Sequence, residues 1–75
     1  MIITWVYENN FRWHVMPAKN QIDLELALVR QSVVYLQYGR TLFKYDLVRM
    51  TQTNLQTGTV RRIMRIVTER PVRLP

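Results

Sequence analysis

The chain has 75 residues, with 11 Lys and Arg against five Asp and Glu for a formal net charge of +6, no cysteine and one histidine. That length holds one domain with a small core, and the missing cysteines exclude disulfide staples, thiol catalysis and thiolate metal sites. The lone histidine leaves any Ser-His-Asp triad dependent on His14 and removes His-rich zinc sets, so the composition argues against an enzyme and implies no metal or cofactor. A hydrophobic content of 48%, with aromatic residues making up 11% of the chain, is that of a folded domain. Uninterrupted apolar runs stop at four residues, too short to span a bilayer. The opening Met1-Ile2-Ile3-Thr4-Trp5 lacks the basic and apolar regions of a signal peptide, so the expected location is cytoplasm or nucleus.

In chain order, Thr4 to Glu8 alternates as a strand, with Trp5 and Tyr7 on one side and Thr4, Val6 and Glu8 on the other. Asn9-Asn10 predicts a turn, and Arg12 to Met16 the return strand of a hairpin that Pro17 ends. A helix is expected over Asn20 to Gln31, capped by Asn20, with Asp23 and Glu25 near its positive end. Ile22, Leu26 and Val29 form its expected buried stripe, widened by Leu24 and Leu28. The period then changes to two. Strands are predicted over Ser32 to Tyr38, Thr41 to Leu47, Val48 to Leu55 and Val60 to Val67. Phe43, Tyr45 and Leu47 share one face, and Val48, Met50 and Gln52 share another. Gly39 and Gly58 both fall at predicted turns, where positive φ costs glycine little.

The last strand breaks the pattern. Arg61, Ile63 and Arg65 share one parity, while Val60, Arg62, Met64 and Ile66 share the other. A half-buried strand does not mix charge and hydrocarbon in this way, so either a bulge shifts its register or one face lines a polar cleft. The expected fold is α+β: a curved antiparallel half-barrel sheet of about six strands with one packed α-helix. A single domain over residues 1–67 is followed by an extended tail over 68–75.

Charge is concentrated at the end of the chain. Through Val48 five cations face four anions, whereas from Arg49 onward Arg49, Arg61, Arg62, Arg65, Arg70 and Arg73 face Glu69 alone. The guanidinium fork suits bidentate phosphate binding, which points to an anionic, phosphate-bearing partner. A merely soluble basic surface is the competing reading.

These residues resemble a WWE domain, a family named for two tryptophans and a glutamate. The likeness runs from about Ile3 to Ile66. It begins with Trp5-Val6-Tyr7-Glu8, Trp13, and Leu24-Glu25 followed by Ala27. Its more specific part is Tyr45-Asp46, Met50, Gln52, Asn54, Thr57-Gly58, Arg61, Ile63 and Arg65. The resemblance implies a non-enzymatic binding module of the kind found beside ubiquitin-ligase and ADP-ribosyltransferase modules. Its partners would be poly(ADP-ribose) or ADP-ribosylated proteins. The ligand would be iso-ADP-ribose, the internal unit with the ribose-ribose linkage, or terminal ADP-ribose or a related adenine nucleotide.

The same resemblance assigns residues. Gln52 matches the glutamine that hydrogen-bonds the adenine edge, for which a primary amide offers both donor and acceptor. Arg61 matches the arginine on phosphate, and Tyr7 a tyrosine at the pocket. Phe43 stands where established readers have tyrosine, losing one hydroxyl contact, and His14 where some members have a second consecutive aromatic. Asn10 stands where some have arginine, and Arg73 near a basic residue that closes on the ligand. Trp5, Trp13 and Glu25 are read as structural, the tryptophans as core and Glu25 as an anchor for backbone or an arginine. Two other functions stay open at this point. One is a WWE-like protein-interaction domain with a degenerate pocket, which Phe43 and His14 favour; the other is a general single-stranded nucleic-acid binder using the Arg-rich strands.

Overall fold

The alternating segment around Trp5 is paired on both sides. In the computed structural model, which describes residues 1–71, β1 (Ile2–Asn9) lies between β2 (Arg12–Val15) and β6 (Val60–Thr68). The helix α1 (Ala18–Leu28) follows, then β3 (Val33–Tyr38), β4 (Thr41–Asp46) and β5 (Thr51–Asn54). All pairs are antiparallel, and the strands form one open six-stranded sheet in the order β2-β1-β6-β5-β4-β3. The fold is α+β, as periodicity predicted. No helix among the described residues is long and apolar enough to cross a membrane.

The sheet curls around α1. Trp5 from β1, Ile63 from β6 and Tyr45 from β4 share one buried cluster with Leu24 and Ala27 of the helix, and with Met16 and Leu47. Trp5, Leu24 and Tyr45 are completely buried; burial of a side chain such as Leu24 contributes on the order of 2 kcal/mol. The helix is then pinned by polar bonds. Gln21 Oε1 accepts from the Trp5 N–H, and Gln21 Nε2 donates to the Trp5 carbonyl at 2.8 Å and the Met16 carbonyl at 3.1 Å. Glu25 accepts from Trp5 Nε1 at 2.8 Å and from Arg65 Nε at 2.6 Å. On the other flank, Asn20 Nδ2 donates to the Tyr45 hydroxyl at 3.4 Å, and the Tyr38 hydroxyl donates to Asp23 at 3.2 Å.

These bonds turn the helix away from its expected face. Its buried side is Asn20, Leu24 and Ala27, while Ile22, Leu26 and Val29 are 61%, 66% and 82% exposed. Asn20, Gln21, Asp23 and Glu25 all reach toward the sheet, and an unmet buried polar group costs more than an exposed aliphatic one. The helix also starts earlier than expected. Pro17, at φ −55° and ψ 154°, is the N-cap; its carbonyl accepts from Gln21 N, so Asn20 lies inside the helix and not at its cap. No acidic residue occupies the first turn, which removes the expected dipole role of Asp23 and Glu25.

Three smaller corrections follow the chain. The first hairpin turns on Asn10 and Phe11, both with positive φ (52° and 63°), one residue later than Asn9-Asn10. The predicted strand from Val48 begins only at Thr51, because Asp46 Oδ1 accepts from the backbone of Val48 and Arg49 and Met50 takes φ 56°. Trp13 is only half-buried and outside the core. Its register partner is Glu8, so it faces away from Trp5 on an edge strand, with the Arg62 guanidinium 5.5 Å from its ring centre.

The irregular last strand has no bulge in its paired register. Val60 to Arg62 pair with β5 and Ile63 to Thr68 with β1, so β6 changes partner between Arg62 and Ile63. Ile63 enters the core, and the arginines on its face, Arg61 and Arg65, are taken up by Asn9 and Glu25.

Replacing Glu25 by Ala leaves the buried Trp5 indole N–H without its acceptor, and the expected loss is about 1–3 kcal/mol in urea denaturation. The Glu25 carboxyl lies below its ordinary value of 4.5, chiefly through the bond from Arg65 and further through Trp5, against the opposing effect of burial. A lowered carboxylate stabilises above its unfolded value and loses that contribution as pH falls through the folded one. Stability therefore declines below about pH 4.5, and Glu25→Gln reduces that decline. Glu8 and Asp46, lowered in the same direction, keep some acid sensitivity in the variant.

Candidate functional site

Where β6 leaves β5 for β1, the inner face of the sheet opens into a cavity of about 480 Å³. Three aromatic residues on different strands, Tyr7, Tyr38 and Phe43, supply wall, and Pro17 and Asn20 close it from the helix end. Gln52 and Arg61 are neighbours across the β5–β6 pair, and Gln52 is the register partner of Tyr45 on β4. Tyr45, Gln52 and Arg61 therefore form one cross-strand row, from the core outward to the cavity.

Gln52 is 8% exposed, and its Nε2 donates to the Tyr45 hydroxyl at 2.9 Å. The same hydroxyl accepts from Asn20 at 3.4 Å. One buried phenol thus orients two primary amides at the cavity wall. Among the described residues no protein group bonds Gln52 Oε1, and its amide retains a second N–H, so the edge offers acceptor and donor side by side. Burial, the largest influence, raises the Tyr45 hydroxyl above its ordinary pKa against the bonds from Gln52 and Asn20. Tyr38 is raised in the same sense, by burial first and then by Tyr45 and Asp23.

Arg61 supplies the charge. Its Nη1 donates to the neutral Asn9 Oδ1 at 2.9 Å, and among the described residues it has no carboxylate partner. The neighbouring arginines differ: Arg62 grips Glu8 through bonds of 3.0 and 2.6 Å, and Arg65 grips Glu25 at 2.6 and 3.2 Å. No acidic residue lines the cavity among the described residues. The rim near Arg61 adds Asn54, Thr57 and Thr59, where the Thr57 hydroxyl donates to that of Thr59 at 2.9 Å. A planar group with a hydrogen-bonding edge suits the Gln52 end, and an anionic group suits the Arg61 end.

Of the residues singled out in the sequence, Tyr7, Phe43, Gln52 and Arg61 converge on this cavity. His14 is not in its wall; it stacks behind Tyr7, with ring centres 5.3 Å apart and planes 27° apart, and its Nε2 lies 3.4 Å from the Asn9 carbonyl. Arg73 lies outside the described residues. Asn9, Asn20 and Tyr38 line the cavity without having been anticipated. Asn9 read as a turn former and Asn20 as a cap, roles asparagine fills so often that its placement in a cavity wall has no local signature. Tyr38 read only as the last residue before a glycine turn.

A family model described as WWE domain matches residues 3–65, nearly the whole chain. No curated protein matches it.

Because one hydroxyl orients both Gln52 and Asn20, Tyr45→Phe is expected to cost about 1–3 kcal/mol of stability, measured by denaturant titration. Asn20→Leu in that background, which removes one stranded amide, recovers part of the loss if the hydroxyl acts through these bonds.

Proposed function

We propose that the chain, which belongs to the WWE family, is a non-catalytic reader of ADP-ribose units, with iso-ADP-ribose within poly(ADP-ribose) as its ligand. WWE domains are binding modules, and partners carrying ADP-ribose follow from the family. The observation that carries the finer reading is the pairing of Gln52, across one strand pair, with Arg61, which has no carboxylate partner among the described residues. Adenine N6 and N7 match the amide edge of Gln52, Tyr7, Tyr38 and Phe43 flank the base, and Arg61 takes phosphate as a charge-assisted bond.

The distribution of arginines weighs against a general nucleic-acid surface. Arg61 and Arg62 point to opposite faces of β6, and Arg62 and Arg65 are already engaged by carboxylates. A backbone-tracking groove needs its cations along one path. Phe43 marks the difference from members that have tyrosine there: it contributes wall but no hydroxyl to phosphate.

Calorimetric titration with iso-ADP-ribose, ADP-ribose, ATP and a short poly(A) strand tests this reading. Iso-ADP-ribose is expected to bind most tightly, and Gln52→Ala and Arg61→Ala each to weaken it by at least about tenfold, the loss of one charge-assisted or bidentate contact. Phe43→Tyr is expected to tighten it. Preference for ADP-ribose or ATP through the same residues would keep the pocket and change the ligand. Poly(A) binding that falls steeply with salt, with no small ligand bound, would mean that the arginines serve general electrostatics.

A further inference from the structure

Phe11 occupies a position that its chemistry does not explain. It is the second central residue of the β1–β2 turn, at φ 63° and 99% exposed. Turns with positive φ at both centres favour Asn followed by Gly, and a bulky residue there is an outlier. The ring has no place in the core cluster and offers the fold no buried contact. A strained residue holding an exposed aromatic ring is a feature that marks functional surfaces.

Phe11 lines a second cavity of about 370 Å³, together with Glu8, Asn10, Val60, Arg61 and Arg62. Arg61 lines both cavities, and its Nη1 is bonded to Asn9 beside the turn that carries Phe11. Glu8 does not leave this cavity acidic, because Arg62 holds its carboxylate through two bonds of 3.0 and 2.6 Å. Arg61 is thus the residue common to the two cavities, and the second offers an exposed aromatic ring beside it.

Resting on the reading of the main cavity as an ADP-ribose site, we propose that Phe11 is a stacking platform for the adenine of the adjoining unit of the same polymer, with Arg61 holding the phosphates between the two units. The module then reads more than one repeat. Every base presents a π-face, and one stacked base has an effect large enough to measure.

The test compares iso-ADP-ribose with a defined ADP-ribose trimer on the whole chain. The wild type is expected to bind the trimer more tightly than the single unit. Phe11→Gly should weaken the trimer by roughly 5- to 100-fold, the range of one lost base stack, and leave iso-ADP-ribose binding unchanged. Phe11→Trp should restore trimer binding. Since Gly relieves the positive φ, Phe11→Gly should melt no lower than wild type, which separates lost contact from lost fold; Phe11→Asn, also tolerant of that backbone, provides a second check. Equal wild-type affinity for the two ligands, unchanged trimer binding in Phe11→Gly, or a lowered melting temperature in both variants would overturn the proposal. If iso-ADP-ribose itself does not bind, the reading of the main cavity fails and this one with it.

Discussion

The structure depends on how Trp5 is held. Its indole is completely buried, its ring N–H is bonded to Glu25, and its backbone N–H and carbonyl are both met by the side chain of Gln21. The return strand β2 ends at Val15; Met16 N still donates to the Trp5 carbonyl at 3.0 Å, but Pro17 then takes the chain out of the sheet, and the Gln21 amide bridges the missing bond by accepting from Trp5 N and donating to the Met16 carbonyl. Glu25 extends the same attachment to β6 through Arg65. Buried backbone groups must be satisfied, so these bonds determine where α1 lies and which way it is rotated.

That rotation creates the cavity. With Gln21 and Glu25 directed at Trp5, Asn20 falls over Tyr45 and Asp23 over Tyr38, so the opposite flank of the helix is bonded to β3 and β4. A helix held to both flanks of an open sheet keeps the sheet curved. The concave end not filled by Leu24 and Ala27 remains open beside Gln52 and Arg61. The site is therefore preorganised by the bonds that hold the fold together. Tyr45 belongs to both: its ring is core, and its hydroxyl orients the amide that faces the cavity.

The arginines show why composition and function are different questions. Six lie from Arg49 onward, yet their surroundings separate them. Arg65 is an anchor, Arg62 covers Trp13 on the outer face while paired with Glu8, and Arg61 faces the cavity bonded to a neutral amide. Only an arginine whose charge is not already neutralised can contribute fully to phosphate binding, because the attraction of a charge for a ligand is diminished by an opposite charge already bound to it.

The sequence by itself determined the strands, their order along the chain, the turns at Gly39 and Gly58, and the residues Tyr7, Phe43, Gln52 and Arg61 that converge on one cavity. These are local: a period of two, a glycine at positive φ and a motif at fixed spacing are each legible within a few residues. It also showed that the last strand was irregular, and the contradiction between Ile63 and its arginine neighbours pointed either to a bulge, which the paired register does not contain, or to a polar cleft. Tertiary structure alone decided the buried face of α1, the side of the sheet that Trp13 occupies, that Arg61 meets the cavity bonded to a neutral amide while Arg62 and Arg65 are held by carboxylates, and that Phe11 lines a second cavity. The apolar stripe of Ile22, Leu26 and Val29 satisfied every rule of periodicity and still faces solvent. Periodicity reports that a helix has an apolar face, whereas the face that is buried follows from which distant backbone and side-chain groups need partners, and those groups become neighbours only after the chain has folded.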